Sequence, residues 1–157
     1  MAAMPTPALN SAGYTVGAPV VPKKPITGYA VATTANSTYT DTPTNSVAFD
    51  FRNTSDAGAV NSFPLGCRIE KLTALARATA TATELQLFAS KDGGTTKRFI
   101  DSALGAAYTV AQTTKQTKVD FGFSASDPLV LDNGEILYFA VGVTNTGWVA
   151  RASGSAW

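Results

Sequence analysis

The stretch Cys67–Ser90, CRIEKLTALARATATATELQLFAS, decides the fold, because its two halves obey different periods. In the first half Ile69, Leu72, Leu75 and Ala76 recur at helical spacing, and Ala, Leu, Glu and Arg are good helix formers. In the second half Leu85, Leu87 and Ala89 alternate with Glu84, Gln86 and Phe88, the period of a strand. Residues 67–78 fit a helix, or a strand that carries a bulge or is buried on two sides. The strand is preferred, because a strictly alternating segment follows immediately. Lys91-Asp92-Gly93-Gly94 then signals a hairpin, since Asp-Gly supplies the positive φ of a tight turn.

The flanking segments repeat this grammar. Residues 29–34 (YAVATT) alternate weakly, and Val47–Arg52 (VAFDFR) place Val47, Phe49 and Phe51 on one face. The segments 35–46 and 53–66 are rich in turn formers and read as connections. Residues 97–110 read as a strand broken at Gly105, and TKVDFGF (117–123) puts Val119, Phe121 and Phe123 on one side. PLVLDNGEILYFAVGV gives a short strand, an Asn133-Gly134 turn and a strand from Ile136 to Val143. That last strand is apolar on both faces and so central in its sheet. Trp148–Ser153 closes a set of seven to nine strands. The expected fold is all-β, a jelly-roll-like antiparallel β-sandwich over residues 29–157.

Residues 1–28, MAAMPTPALNSAGYTVGAPVVPKKPITG, are of another kind. They hold five prolines, three glycines and no acidic residue. Pro5, Pro7, Pro19, Pro22 and Pro25 exclude a helix or a central strand, because proline fixes φ and removes a backbone donor. Ordering each residue costs roughly 1–2 kcal/mol of backbone entropy. Against that stand Leu9, Tyr14, Val16, Val20, Val21 and Ile26, worth roughly 1.5–3 kcal/mol each if fully buried. The balance predicts an extended Pro-rich N-terminal arm that takes its shape from another surface. Those six residues, with the basic pair Lys23 and Lys24 and the aromatic Trp157, are the candidate partner-binding residues. Large rigid aromatics carry much interface energy, and the basic arm suits an acidic partner.

Composition narrows the chemistry. The net charge is +1 with 15% charged residues, so no concentrated basic face for nucleic acid is expected. Histidine is absent, which removes the usual general base and the commonest metal ligand. Serine therefore has no triad partner, and no G-x-S-x-G elbow occurs. The single cysteine, Cys67, excludes an internal disulfide and a thiolate metal cluster. Asp132-Asn133-Gly134-Glu135 lacks the alternating oxygen ligands of a calcium loop and reads as a turn. The glycosylation sequons at Asn36 and Asn53 read as chance matches in a chain rich in Thr, Ser and Asn. Tyr138 and Trp148 fall within the strand pattern and read as core. No apolar run reaches membrane-spanning length, and no secretion signal opens the sequence. The expectation is a soluble protein with no catalytic residues, metal or cofactor, acting on neither nucleic acid nor membrane.

The runs ELQLFASKDGGTTKRFIDSALGAA and TKVDFGFSASDPLVLDNGEILYFAVGV, with GWVARASG at the close, resemble small accessory structural proteins of tailed bacteriophages. Pro128, Leu129, Leu131, Gly134, Leu137 and Tyr138 occupy the places of a recurrent Pro-Leu-x-Leu-x-x-Gly-x-x-Leu-Tyr segment, and the likeness covers residues 67–153. It implies a virion component of capsid decoration (cement), head-fibre or neck type. The implied partners are the major capsid protein or other virion subunits. A homo-oligomer is implied too, with a trimer as one arrangement, located on the capsid surface and made in the host cytoplasm. The competing expectation is a receptor- or carbohydrate-binding module of a phage fibre, neck or tail.

Overall fold

The computed structural model of the chain describes residues 23–38, 40–52, 60–145 and 147–157, and its regular structure is all strand. Nine strands occur among these residues. They are β1 (Lys24–Ala32), β2 (Val47–Ala48), β3 (Cys67–Ala76), β4 (Thr83–Ser90), β5 (Arg98–Gly105), β6 (Val119–Asp120), β7 (Leu129–Leu131), β8 (Ile136–Val141) and β9 (Trp148–Ala156). One sheet runs β1-β9-β3, with β6 and β7 in succession along the far edge of β3; the other runs β2-β8-β4-β5. The ladders are antiparallel and nested. β1 pairs with β9, β2 with β8, β3 with β6 and β7, and β4 with β5. One core cluster joins the inner faces of both sheets, Ile26, Ile69, Leu72 and Trp148 from the first and Leu85, Leu87, Leu137 and Phe139 from the second. This is a β-sandwich.

The segment with two periods is a strand. In β3 the residues Cys67 and Ile69 face the core, the register slips between Ile69 and Lys71, and Leu72 and Ala74 resume facing inward. The bulge inserts Glu70 and converts a spacing of two into a spacing of three, which is what gave the sequence its helical look. β4 is buried on both faces. Leu85, Leu87 and Ala89 enter the main core, while Phe88 joins Tyr138 and Ala140 in a second cluster on the outer face of its sheet. β8 lies between β2 and β4, as its two apolar faces predict.

Two sequence boundaries shift. Strand β1 begins at Lys24, so residues 24–28, read as the end of the arm, belong to the sandwich. Pro25 is compatible with this because β1 is an edge strand. Tyr29 directs its N–H and C=O away from β9, toward Asp50. Pro25, four residues earlier, has the same parity, so its missing donor falls on the outer edge and costs no ladder bond. The Asn133-Gly134 turn also differs from a simple hairpin. It joins β7 in one sheet to β8 in the other, with Gly134 at φ 69°.

The β4–β5 turn is held by Asp92. Its carboxylate accepts from Thr96 N at 2.8 Å and from Ser90 Oγ at 2.8 Å, and Ser90 Oγ accepts from Gly94 N at 2.9 Å. The Thr96 amide and then the Ser90 hydroxyl favour the anion and lower the Asp92 pKa from 3.8 to about 2. A carboxyl depressed in the folded state stabilises above its ordinary value and loses that contribution as pH falls toward 2. The melting temperature of the native chain is therefore expected to drop between pH 4 and pH 2 more steeply than that of Asp92→Asn. Parallel thermal melts across that range check it, and equal slopes would discount the cap.

The connection 33–46 covers the outer face of the second sheet and is pinned at two places. Asn36, 3% exposed, donates through Nδ2 to Gln86 Oε1 at 2.8 Å, while its Oδ1 accepts from the backbone and hydroxyl groups of Thr38 and Thr44. Further along, Asp41 accepts from Phe99 N at 3.0 Å and pairs with Arg98. Thr42 donates its N–H to Lys97 O at 2.7 Å while holding φ at 64°, a costly conformation for a β-branched residue.

Candidate functional site: a groove beside strand β1

The surface beside the start of β1 is built by the chain crossing from one sheet to the other. Phe49 N donates to Leu137 O of the second sheet at 2.9 Å, and Asp50 exchanges two backbone bonds with Tyr29 of the first, at 2.9 and 3.0 Å. Phe51 N then donates to Val60 O at 2.7 Å. This closes one flank of the sandwich and leaves beside β1 a groove of about 560 Å³.

Aromatic rings form much of it. The Phe51 ring crowds the backbone at Gly28, where a Cβ would overlap Phe51 Cδ1 and stand 2.6 Å from Cε1, so glycine is required there. Phe63 meets Phe51 edge-on, with ring centroids 5.4 Å apart at 63°. Tyr29, 51% exposed, and the half-buried Trp157 complete the aromatic set. The Trp157 amide reaches Gly66 O at 3.4 Å. Lys24, Arg52 and Arg151 add positive charge, and Arg52 pairs with Asp50 at 3.1 Å. No Asp or Glu is among the described lining residues. The described lining therefore combines apolar aromatic faces with three cationic side chains, a combination suited to recognition.

Of the residues expected to bind a partner, Leu9, Tyr14, Val16, Val20 and Val21 lie outside the described residues. Lys23 is exposed just before β1, and Lys24 and Trp157 line the groove. Ile26, expected as an outward arm contact, is instead 7% exposed and part of the core, reaching the groove only from its floor. Tyr29, Phe51, Phe63, Arg52 and Arg151 were not among the residues expected from sequence to bind a partner. Inward Ile26, Gly28, Ala30 and Ala32 set a phase that turns Tyr29 outward, a signal visible once β1 is begun at Lys24. Phe63 gave no such signal, because it lies in a connection read as polar.

Among the other described residues, Cys67, Asp132 and Glu135 are engaged within the fold. Burial, then the Glu135 charge, pushes the Cys67 thiol up to about 12, so it stays protonated and unreactive at neutral pH. Asp132 and Glu135 engage their own turn and Lys91. Among the described residues no group of three His, Cys, Asp or Glu side chains is placed to hold a metal ion. Trp148 is buried in the main core and Tyr138 in the outer cluster under Lys97, whose Nζ is 4.5 Å from the ring centroid. The Asn36 amide of the first sequon is consumed by its buried hydrogen bonds.

Comparison of the chain with protein-family models, with curated proteins and with solved structures finds no match.

Proposed function

We propose that the chain is a non-enzymatic virion structural protein, a capsid decoration or cement protein whose N-terminal arm holds it to the shell. The observation that supports this reading is the position of β1, the strand that follows the Pro-rich segment. The sandwich fills its own core, and β1, which begins at Lys24, is an edge strand beside an aromatic groove. Residues 1–22 carry no charged side chain and four prolines, so they are suited to lying extended on a neighbour. Many weak arm contacts on a repeating lattice add through multivalency, and the shell gains stability from the extra interfacial area.

The sandwich itself fits a jelly roll. If β6 and β7 are taken as one interrupted strand, eight strands pair from the outside inward, β1 with β9 through to β4 with β5. A long antiparallel ribbon rolled into two sheets has this nesting, and jelly rolls are common in capsid architecture.

The test uses purified particles, the full chain and a variant lacking residues 1–22, a cut that leaves β1 and Ile26 in place. The full chain is expected to cosediment with particles. The shortened chain is expected to stay in the supernatant while keeping its far-ultraviolet circular dichroism. Equal cosedimentation of the two would end the arm-anchored reading. The exposed Tyr29 and the half-buried Trp157, with Arg151 in the same groove, favour a second reading, a receptor- or carbohydrate-binding module of a fibre, neck or tail, since aromatic platforms also suit sugars. Glycan-array binding that survives loss of the arm would select it.

A further inference from the structure

We infer that the cleft between the β5 and β6 edges binds a small carboxylate, which gives the Trp148 indole N–H an acceptor that no described residue supplies. β5 is the outer strand of the second sheet, and β6 lies along the far edge of β3 in the first. Between them opens a cleft of about 330 Å³, whose lining includes Leu104 of β5, Val119 of β6, Tyr108, Lys118 and Trp148. Its volume suits a small molecule. Trp148 is 1% exposed, and its Nε1 is buried without a hydrogen-bond partner. A buried donor left unpaired bears the full cost of its desolvation, and here that donor belongs to a residue on the wall of a cleft. The cleft is a property of the sandwich alone and does not depend on how the N-terminal segment is read.

The indole edge that carries the N–H lies against the strand end that forms the cleft wall. Gly105 stands between Leu104 and Ala106, both lining residues, and a Cβ there would be 2.8 Å from Trp148 Cζ2 and Cη2. Nε1 is two bonds from Cζ2 on the same edge. Ala106 and Ala107, exposed and small, leave that edge thinly covered. Charge then selects the ligand class. Lys118 is the one charged side chain among the described lining residues, and Gln116 and Thr117 add polar atoms. β3 sets the spacing, since Trp148 pairs with Ala76 on one side of it and Val119 with Ala74 on the other. Two strand spacings, roughly 10 Å, therefore separate the backbones of Trp148 and Lys118. The Lys118 side chain spans part of that gap and a carboxylate the rest. One oxygen accepts from the indole while the ammonium balances the charge. Leu104 and Val119 remain for an apolar tail.

The experiment follows the indole N–H signals of the two tryptophans by NMR in the ¹⁵N-labelled full-length chain, with Trp157→Phe assigning them. Sodium butyrate, hexanoate and benzoate are titrated beside butanol, hexanol and benzyl alcohol. The carboxylates are expected to move the Trp148 signal downfield and to saturate, as a hydrogen bond forming at that proton requires. Each alcohol should bind roughly tenfold more weakly than the acid of its size, because it brings no charge to Lys118. Lys118→Met, which keeps the aliphatic stem, should weaken carboxylate binding by about the same tenfold. Ala107→Trp, at an exposed position, should fill the cleft and abolish the carboxylate-induced shift. Both variants should keep the native circular dichroism, and the comparison of acids with alcohols on the unaltered chain needs neither. A Trp148 signal that no carboxylate moves, or that drifts without saturating, would overturn the inference. Alcohols that bind as tightly as the acids, or a Lys118→Met chain that binds them undiminished, would overturn it equally.

Discussion

Gly154→Ala is expected to lower the melting temperature by roughly 10 °C, corresponding to about 3 kcal/mol or more. Gly154 stands in β9 opposite Ile26 on one side and Ile69 on the other, at the point where the β3 bulge begins. The bulge drives the Arg68 backbone toward β9. A Cβ at residue 154 would overlap the Arg68 carbonyl oxygen outright and stand 2.8 Å from the carbonyl carbon and 3.0 Å from Ile69 Cα. These are backbone atoms in the middle of a sheet, so no rotamer change relieves them. The strands must part, and β9 bonds to both β1 and β3.

A control separates this close approach from the general effect of adding a methyl group. Gly142→Ala brings its Cβ no nearer than 3.6 Å to Glu84 O, an ordinary contact. Its change is expected to stay within about 0.5 kcal/mol, the range of unremarkable surface substitutions. Chemical denaturation of both variants checks the pair. Comparable midpoints would show that β3 and β9 can move apart without cost.

The same bulge marks how far the fold was legible. Alternation in β4, the two-sided apolarity of β8 and the Asp92-Gly93-Gly94 turn each depend on residues close in sequence, and each reads correctly. The inward row Val119, Phe121 and Phe123 packs against the core as its spacing predicts, although only Val119–Asp120 make a ladder there. β3 was ambiguous because a bulge depends on the partner strand, and one sequence does not announce its partner. The start of β1 was misplaced for the related reason that Pro25 is tolerated only on an edge. Edge or centre is a property of the whole sheet.

The site was less legible. Trp157 and Lys24 come from distant parts of the chain and meet only because β1 pairs with β9 along its whole length. Tyr29 faces outward by parity, and Phe63 is held by a ring contact to Phe51 that nothing local encodes. Ile26 was misassigned because its apolar character, correctly noticed, was credited to the arm before the strand boundary was known. Gln86 shows the reverse. It lies on the face opposite the inward Leu85 and Leu87, yet it is fully buried and bonded to Asn36 of the connection 33–46.

That buried amide underlies the second large effect. Asn36→Ala is expected to cost about 2–3 kcal/mol, because it removes several hydrogen bonds and strands a buried acceptor. Gln86 Oε1, at 0% residue exposure, loses its Nδ2 donor, while Thr38 and Thr44 lose the oxygen that gathers their amides and hydroxyls. Hydrogen exchange should accelerate in residues 36–45 well before it does in β4 or β8, since the second anchor at Asp41 and Thr42 holds only the far end of the connection. The two side chains share a buried hydrogen bond, so the double variant is the sharper test. In Asn36→Ala/Gln86→Leu no buried side-chain acceptor is left wanting at this position of β4, and the apolar replacement can join Phe88, Tyr138 and Ala140 in the outer cluster. The double variant should therefore recover about 1 kcal/mol or more relative to Asn36→Ala alone. Losses that simply add would mean that the two side chains act separately, and that the connection is held down by its threonines rather than by the amide beneath it.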